Sequence, residues 1–236
     1  MYRSGTKKFY KRATAEPDGN GYRICLDGRT VKTPAGRGLA VPGNRLAEAL
    51  AEEWNGQGEI IKPGSMPMTV FACTAIDRIG AERQTIERDL VRHAETDLVC
   101  YRADAPRDLA GRQHETWQPL VDWVNEAYGV RLVVTHSVLP VPQPQDTLET
   151  LSGVIGSFDD WDLAVLSGVT AAAGSLIVGL ALTMGRIDAD QAFAAAQLDE
   201  AYQNEKWGTV EEAARRHAAL RREIQAAADF LALKRS

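Results

Sequence analysis

Cysteine is sparse in this chain. Cys25, Cys73 and Cys100 are the only three among 236 residues, too few and too scattered for a disulfide framework or a zinc knuckle. Their apolar surroundings fit free thiols in a reducing compartment. No apolar core follows the early positive charges, so no secretory signal is expected, and strand-like sequence begins almost at once at Phe9 and Tyr10. Phosphate loops are missing as well: Gly19-Asn20-Gly21 lacks a third glycine and a following helix, and no Gly-Lys-Ser/Thr segment occurs. Basic excess is absent, since the net charge is -5 with a pI near 5.5, which argues against a general affinity for nucleic acid. The local exception, Arg3, Lys7, Lys8, Lys11 and Arg12, reads as a solvated N-terminal arm. Neither an internal repeat nor a low-complexity tract is present.

What remains is ordinary globular composition, 44% hydrophobic and 25% charged, enough to bury a core in one large domain or two modest ones. Leu163 to Gly185 carries no charge and is long enough to cross a bilayer. Its Ser167, Gly168, Thr170, Gly174, Ser175, Gly179 and Thr183, and the mean hydropathy of -0.26, favour a buried central helix instead. Ala171, Ser175, Gly179 and Thr183 then form a ridge of small residues that lets a neighbouring helix approach closely.

The punctuation up to about Val70 is β-like. Tyr22, Ile24 and Leu26 alternate with polar neighbours up to Asp27-Gly28, a pair suited to the positive φ of a tight hairpin turn. One helix interrupts this region: Asn44 can cap it, and Leu46, Leu50 and Trp54 share a stripe before Gly56, making Trp54 a structural anchor. Beyond Thr69 the period is helical, apart from a β-branched run at Val130 to Thr135 and the Pro140 to Pro144 connector. The spacing predicts helices over Val70 to Ile79, Glu82 to Glu95, Leu109 to Tyr128, Thr147 to Ser157, Trp161 to Met184, Asp190 to Lys206 and Val210 to Leu233. Asp188 with Gln191, and Thr209 with Glu212, resemble capping boxes for the last two. The expected fold class is α+β: a mostly antiparallel β domain with one helix over residues 1–70, then a larger multi-helical domain over 71–236.

Chemistry is hard to place on these elements. His93, Glu95, Asp97 and Cys100 match no metal-ligand spacing and read as scattered surface polarity. Cys100 with His114 lacks the setting of an activated nucleophile, and Asp159, Asp160 and Asp162 are accounted for by a helix start. No catalytic, cofactor or metal residue is assigned. One helix has two candidate faces: Phe193, Ala196, Glu200, Gln203 and Trp207 on one stripe, and Ala194, Leu198, Ala201 and Glu205 on another. Either the Leu198 stripe joins the core and leaves Glu200 and Gln203 framed by aromatics for a partner, or Phe193 and Trp207 pack inside and Glu200 pairs with a buried arginine.

Several segments carry a family resemblance. They are Lys8-Phe9-Tyr10-Lys11, Leu26 to Pro34, Glu52-Glu53-Trp54 with Gln57, Met66-Pro67-Met68-Thr69, Thr96-Asp97-Leu98 with Cys100-Tyr101-Arg102, Trp117-Gln118-Pro119, and Glu200 to Gly208. In this order they resemble, end to end, the F-type ATP synthase assembly chaperones that attend the alpha subunit of the catalytic head, the ATP-twelve family. The pattern often has Arg where Lys8 stands and Asp where Asn55 and Gln118 stand. The resemblance implies a chaperone, not an enzyme, that binds the unassembled alpha subunit transiently without nucleotide and shields its interface from aggregation until the beta subunit takes over. Charge and patterning, not the resemblance, give the further expectations of no cofactor, no nucleic acid and no membrane insertion. Residue matching places the partner contact at Glu200, with Tyr202, Gln203 and Trp207 around it, and the helical stripe adds Phe193. The expected location is the cytoplasm of a bacterium, or the mitochondrial matrix for a processed eukaryotic chain. Two alternatives stand beside this reading: a small-molecule enzyme with an unrecognised pocket at the domain boundary, and a structural subunit retained in a complex.

Overall fold

The computed structural model describes residues 6–208 and 210–236, so Arg3 and the expected Thr209 cap lie outside the described residues. It opens with a small antiparallel sheet of β1 (Ala13–Asp18), β2 (Gly21–Leu26), β3 (Arg29–Thr30) and β4 (Ala40–Val41). Central β2 pairs with β1 along one edge, and with β3 and β4 along the other. The hairpin falls where the sequence predicts it: Asp27 (φ 47°) and Gly28 (φ 79°) both take positive φ, as a two-residue turn of this hand requires. Asp27 also accepts hydrogen bonds from the backbone N–H groups of Lys11 and Arg12, which fixes the incoming chain. Phe9 and Tyr10 lie before the first strand; Phe9 is exposed, while buried Tyr10 donates its hydroxyl to the Trp54 carbonyl at 2.6 Å. Cys25 is as buried as Ile24 and Leu26, so this end of the central strand is covered on both faces rather than alternating.

Helix α1 (Asn44–Asn55) buries Leu46, Leu50 and Trp54, the anchor stripe expected. Its N-cap is Gly43 at φ 82°, not Asn44, whose side chain instead bonds Glu48. Lys8 is no solvated arm residue: its ammonium donates to the carbonyls of Asn55 and Gln57, the free acceptors at a helix C-terminus. Asn55 exchanges hydrogen bonds with the backbone of Ala13. Glu53 reaches the start of α2 (Pro67–Thr74), accepting from Met68 and Thr69 N–H at 2.8 Å each. A carboxylate from a neighbouring helix thereby serves as the cap of a helix that has no side-chain cap of its own.

After α2 come a π-helical turn (Ala75–Ile79), α3 (Gly80–Glu95), α4 (Arg107–Tyr128), α5 (Gln145–Gly156), α6 (Asp160–Ala173), α7 (Leu176–Thr183), α8 (Ala189–Ala196), α9 (Leu198–Trp207) and α10 (Glu211–Lys234). Val130 to Thr135 forms no strand, only an isolated bridge between Thr135 and Tyr101. Two long predicted helices are each divided. Gly174 (φ 67°) ends α6 and Ser175 caps α7, so the apolar run is two helices; among the described residues no helix is long and apolar enough to cross a membrane. The small-residue ridge is correspondingly broken, but its closeness is real: a Cβ on Gly179 would lie 2.6 Å from Thr170 Oγ1, so the approaching helix is α6 itself. The second break, at Gln197 (φ -113°, ψ 13°), separates α8 from α9. The Asp188–Gln191 capping box before α8 is present.

The chain forms two compact units. One holds the chain up to Arg83 together with Asp160–Val165 and Ala226–Ser236; the other holds Gln84–Asp159 and Leu166–Gln225. Aromatic packing explains the first: Phe71 and Trp161 both stack against Phe230, at 6.0 and 6.3 Å between centroids. Within the second, Asp97 is fully buried rather than at the surface. It accepts from Val99 N–H, the Ser175 hydroxyl and Ile177 N–H, pinning the start of α7. Burial pushes its carboxyl up despite those donors.

Candidate functional site

The expected partner residues fall on α8 and α9, in the second unit, and the break at Gln197 gives these helices a different inward face from either predicted stripe. Ala189, Ala192, Ala195, Leu198 and Tyr202 are the buried positions. Of the Leu198 stripe only Leu198 is inside; Ala194, Ala201 and Glu205 are exposed. Tyr202, expected at the partner contact, is 4% exposed and acts from within.

Helix α4 supplies the seat. Trp117, fully buried, donates its indole N–H to the Ala195 carbonyl at 2.9 Å. Gln113 bonds Asp199 Oδ1 at 2.7 Å while its own oxygen accepts from Ala103 N–H. The Tyr202 hydroxyl donates to Asp108 at 2.8 Å, and Lys206 pairs with the same carboxylate at 3.3 Å. These two, the tyrosine first, hold Asp108 below the usual carboxylate range, and Asp108 in turn raises Lys206. Arg112 reaches both oxygens of Glu205 and lies over the Tyr202 ring. Every polar side chain on this face of α9 has a partner from α4.

The opposite face meets α10. Phe193 is half-buried, edge-on to the His217 ring at 6.2 Å, with the Arg221 guanidinium over its own ring at 5.5 Å. Arg221 also pairs with Asp190 at 2.6 Å. Glu200, whose side chain keeps 41% of its exposure, lies 3.2 Å from His217 Nε2, yet the approach is out of line for a hydrogen bond. Thus Glu200 faces a histidine, not the buried arginine of the alternative reading, and its carboxylate is only loosely engaged. Gln203 is exposed, and Trp207 at the end of α9 is 78% exposed with Val210 beyond it at 68%. Glu200, Gln203 and Trp207 therefore share an accessible surface, Phe193 borders it, and Trp54 belongs to the other unit as a buried anchor.

Sequence reading missed His217, Arg221 and Glu223 on α10, and Asp108 and Gln113 on α4. A helical period reports which residues share a face of one helix, not which distant helix lies opposite.

Among the described residues no group of three or more His, Cys, Asp and Glu is arranged to hold a metal ion. Burial pushes the Cys100 thiol up to about 12, the reverse of what a nucleophilic thiolate needs. A separate apolar groove of about 640 Å³ in the first unit is lined by Pro34, Pro63, Met66, Val70 and Cys73 among others.

Comparison with known proteins gives one answer throughout. A family model described as the ATP12 chaperone protein matches residues 7–125. The mitochondrial protein atp12 of Schizosaccharomyces pombe is 26% identical over 219 residues, covering 88% of this chain and 75% of its own. Its Saccharomyces cerevisiae counterpart is 26% identical over 253 residues, with 88% and 78% covered. The crystal structure of Atp12 from Paracoccus denitrificans matches with a TM-score of 0.86 at 35% identity, over 99% of this chain and all of that one. A structure from Agrobacterium tumefaciens matches at 0.88 and 35%, over 96% and 85%.

Proposed function

The chain belongs to the ATP12 family, chaperones of ATP synthase assembly, and from that premise we propose that it holds the unassembled alpha subunit through the exposed side of α9. A subunit destined for a ring exposes a large apolar interface that aggregates when left uncovered. A holding protein that covers this interface keeps the subunit soluble until the beta subunit displaces it. Release by competition requires an interface that is partly polar and not too tight.

The observation that carries this reading is the contrast on α9. Its inner face is held against α4 by hydrogen bonds and ion pairs, while Glu200, Gln203 and Trp207 lie on the side a partner can reach. A large aromatic beside a few polar groups is the composition that binding anchors favour. A helix already held in place by its own chain lowers the ordering cost of association. Holding requires no nucleotide, and release follows from exchange of partners.

The test is light scattering of isolated ATP synthase alpha subunit diluted from denaturant, with this chain, with its Glu200→Lys variant, and without either. Wild type is expected to suppress aggregation in the absence of nucleotide and the variant to lose that effect while melting normally, because a change of charge on an exposed helix costs little stability. Equal suppression by both proteins would remove α9 from the contact. Failure of wild type would remove direct holding of the alpha subunit.

A further inference from the structure

Glu200 shares its surroundings with a second carboxylate. A cleft of about 400 Å³ between α9 and α10 is lined by Gln197, Glu200, Arg216, His217, Leu220 and Glu223 among others. Glu223 is half-buried, and burial alone pushes its carboxyl above the ordinary range. Among the described residues no cation pairs with it and no donor reaches it. His217 Nε2 is buried without a hydrogen bond despite lying 3.2 Å from Glu200. The cations nearby do not complete the site: Arg221 is taken by Asp190, and Arg216 stays exposed at the rim without an ion pair.

Removing a carboxylate from water is unfavourable unless a hydrogen-bonding cation replaces the lost solvation. Here two carboxylates open into one cleft with neither neutralised by a strong internal cation. Apolar surface from Leu220 and the nearby Ala219 lines it as well. This combination fits a long side chain with an aliphatic stem and a positive head.

We propose that the alpha subunit inserts an arginine or lysine side chain into this cleft, received by Glu200 and Glu223 together. The inference rests on the reading of the alpha subunit as the client and adds the chemistry by which it is recognised. Glu223 is then a specificity-determining residue, and Arg216, exposed at the rim, repels an incoming cation.

The test is titration of folded, purified ATP synthase alpha subunit with this chain and with Glu200→Lys, Glu223→Gln and Arg216→Ala, with the melting temperature of each variant measured alongside. Glu223→Gln is expected to weaken binding about tenfold, the order of one charge-assisted hydrogen bond. Its melting at pH 7 should be unchanged or slightly higher, because the variant no longer buries a charge. Arg216→Ala should tighten binding about two- to threefold. Blocking client arginines with phenylglyoxal, against reductive methylation of its lysines with charge retained, identifies the inserted residue: loss with the first reagent alone assigns arginine. Loss of binding by Glu200→Lys with no change from either Glu223→Gln or Arg216→Ala would overturn the cleft while leaving the client assignment intact. No binding by wild type would overturn both.

Discussion

The two sides of α9 are built to different standards. Toward α4, Tyr202, Asp199, Glu205 and Lys206 each meet a partner, and Trp117 closes the contact with a buried hydrogen bond. Toward α10, Glu200 meets His217 out of line, Glu223 lacks a cation, and Trp207 stands largely in solvent. Folded proteins satisfy most of their buried polar groups, and the α4 side of α9 follows that rule. The proposed partner contact lies on the unfinished side.

Breaking the finished side should cost the most. Trp117→Ala removes a fully buried indole and orphans the Ala195 carbonyl, and is expected to destabilise by about 3–5 kcal/mol, measured by denaturant unfolding. A variant within 1 kcal/mol of wild type would show that α4 does not seat this helix pair. Gln113→Leu leaves Ala103 N–H and Asp199 without their partner, at a cost of about 1–3 kcal/mol. On the open side, Trp207→Ala should change stability by less than about 0.5 kcal/mol while weakening alpha-subunit binding about tenfold. A large drop in melting temperature would instead make Trp207 part of the core.

The smallest effect sharpens the contrast between reactive and inert groups. The Cys73 thiol borders the groove of the first unit and burial pushes it up to about 11, while Cys100 reaches about 12 and is wholly enclosed. Below its pKa a thiol gains thiolate about tenfold per pH unit. Iodoacetamide labelling of native protein should therefore be slow at pH 7.5, rise about tenfold per unit toward pH 9.5, and fall on Cys73 ahead of Cys100. Rapid labelling at pH 7.5 would contradict this ordering.

The fold was legible in the sequence wherever a local rule decided it. Asp27-Gly28 dictates its own turn, and the Leu46, Leu50 and Trp54 stripe needs one helix to declare a core face. Asp188 with Gln191 specifies a helix start without help. Legibility failed where a distant residue decides. Lys8 read as a solvated charge because the carbonyls it meets are contributed by a helix some fifty residues on. Asp97 read as surface polarity because its donors, Ser175 and Ile177, lie beyond several intervening helices. The breaks at Gly174 and Gln197 rearranged the helical faces, turning Tyr202 inward and leaving Glu200 and Trp207 outward. Most resemblance motifs, including Glu53, Trp54, Asp97 and Trp117, thus hold the fold together, and the Glu200 to Gly208 segment alone among them carries the open face.

The central claim is that the alpha subunit covers the unfinished side of α9. Hydrogen–deuterium exchange of this chain, free and with purified alpha subunit, tests it directly. Slower exchange is expected across Leu198–Trp207 and the first half of α10, with no change in the buried face of α4. Protection confined to other segments, with α9 and α10 exchanging as in the free chain, would contradict the account.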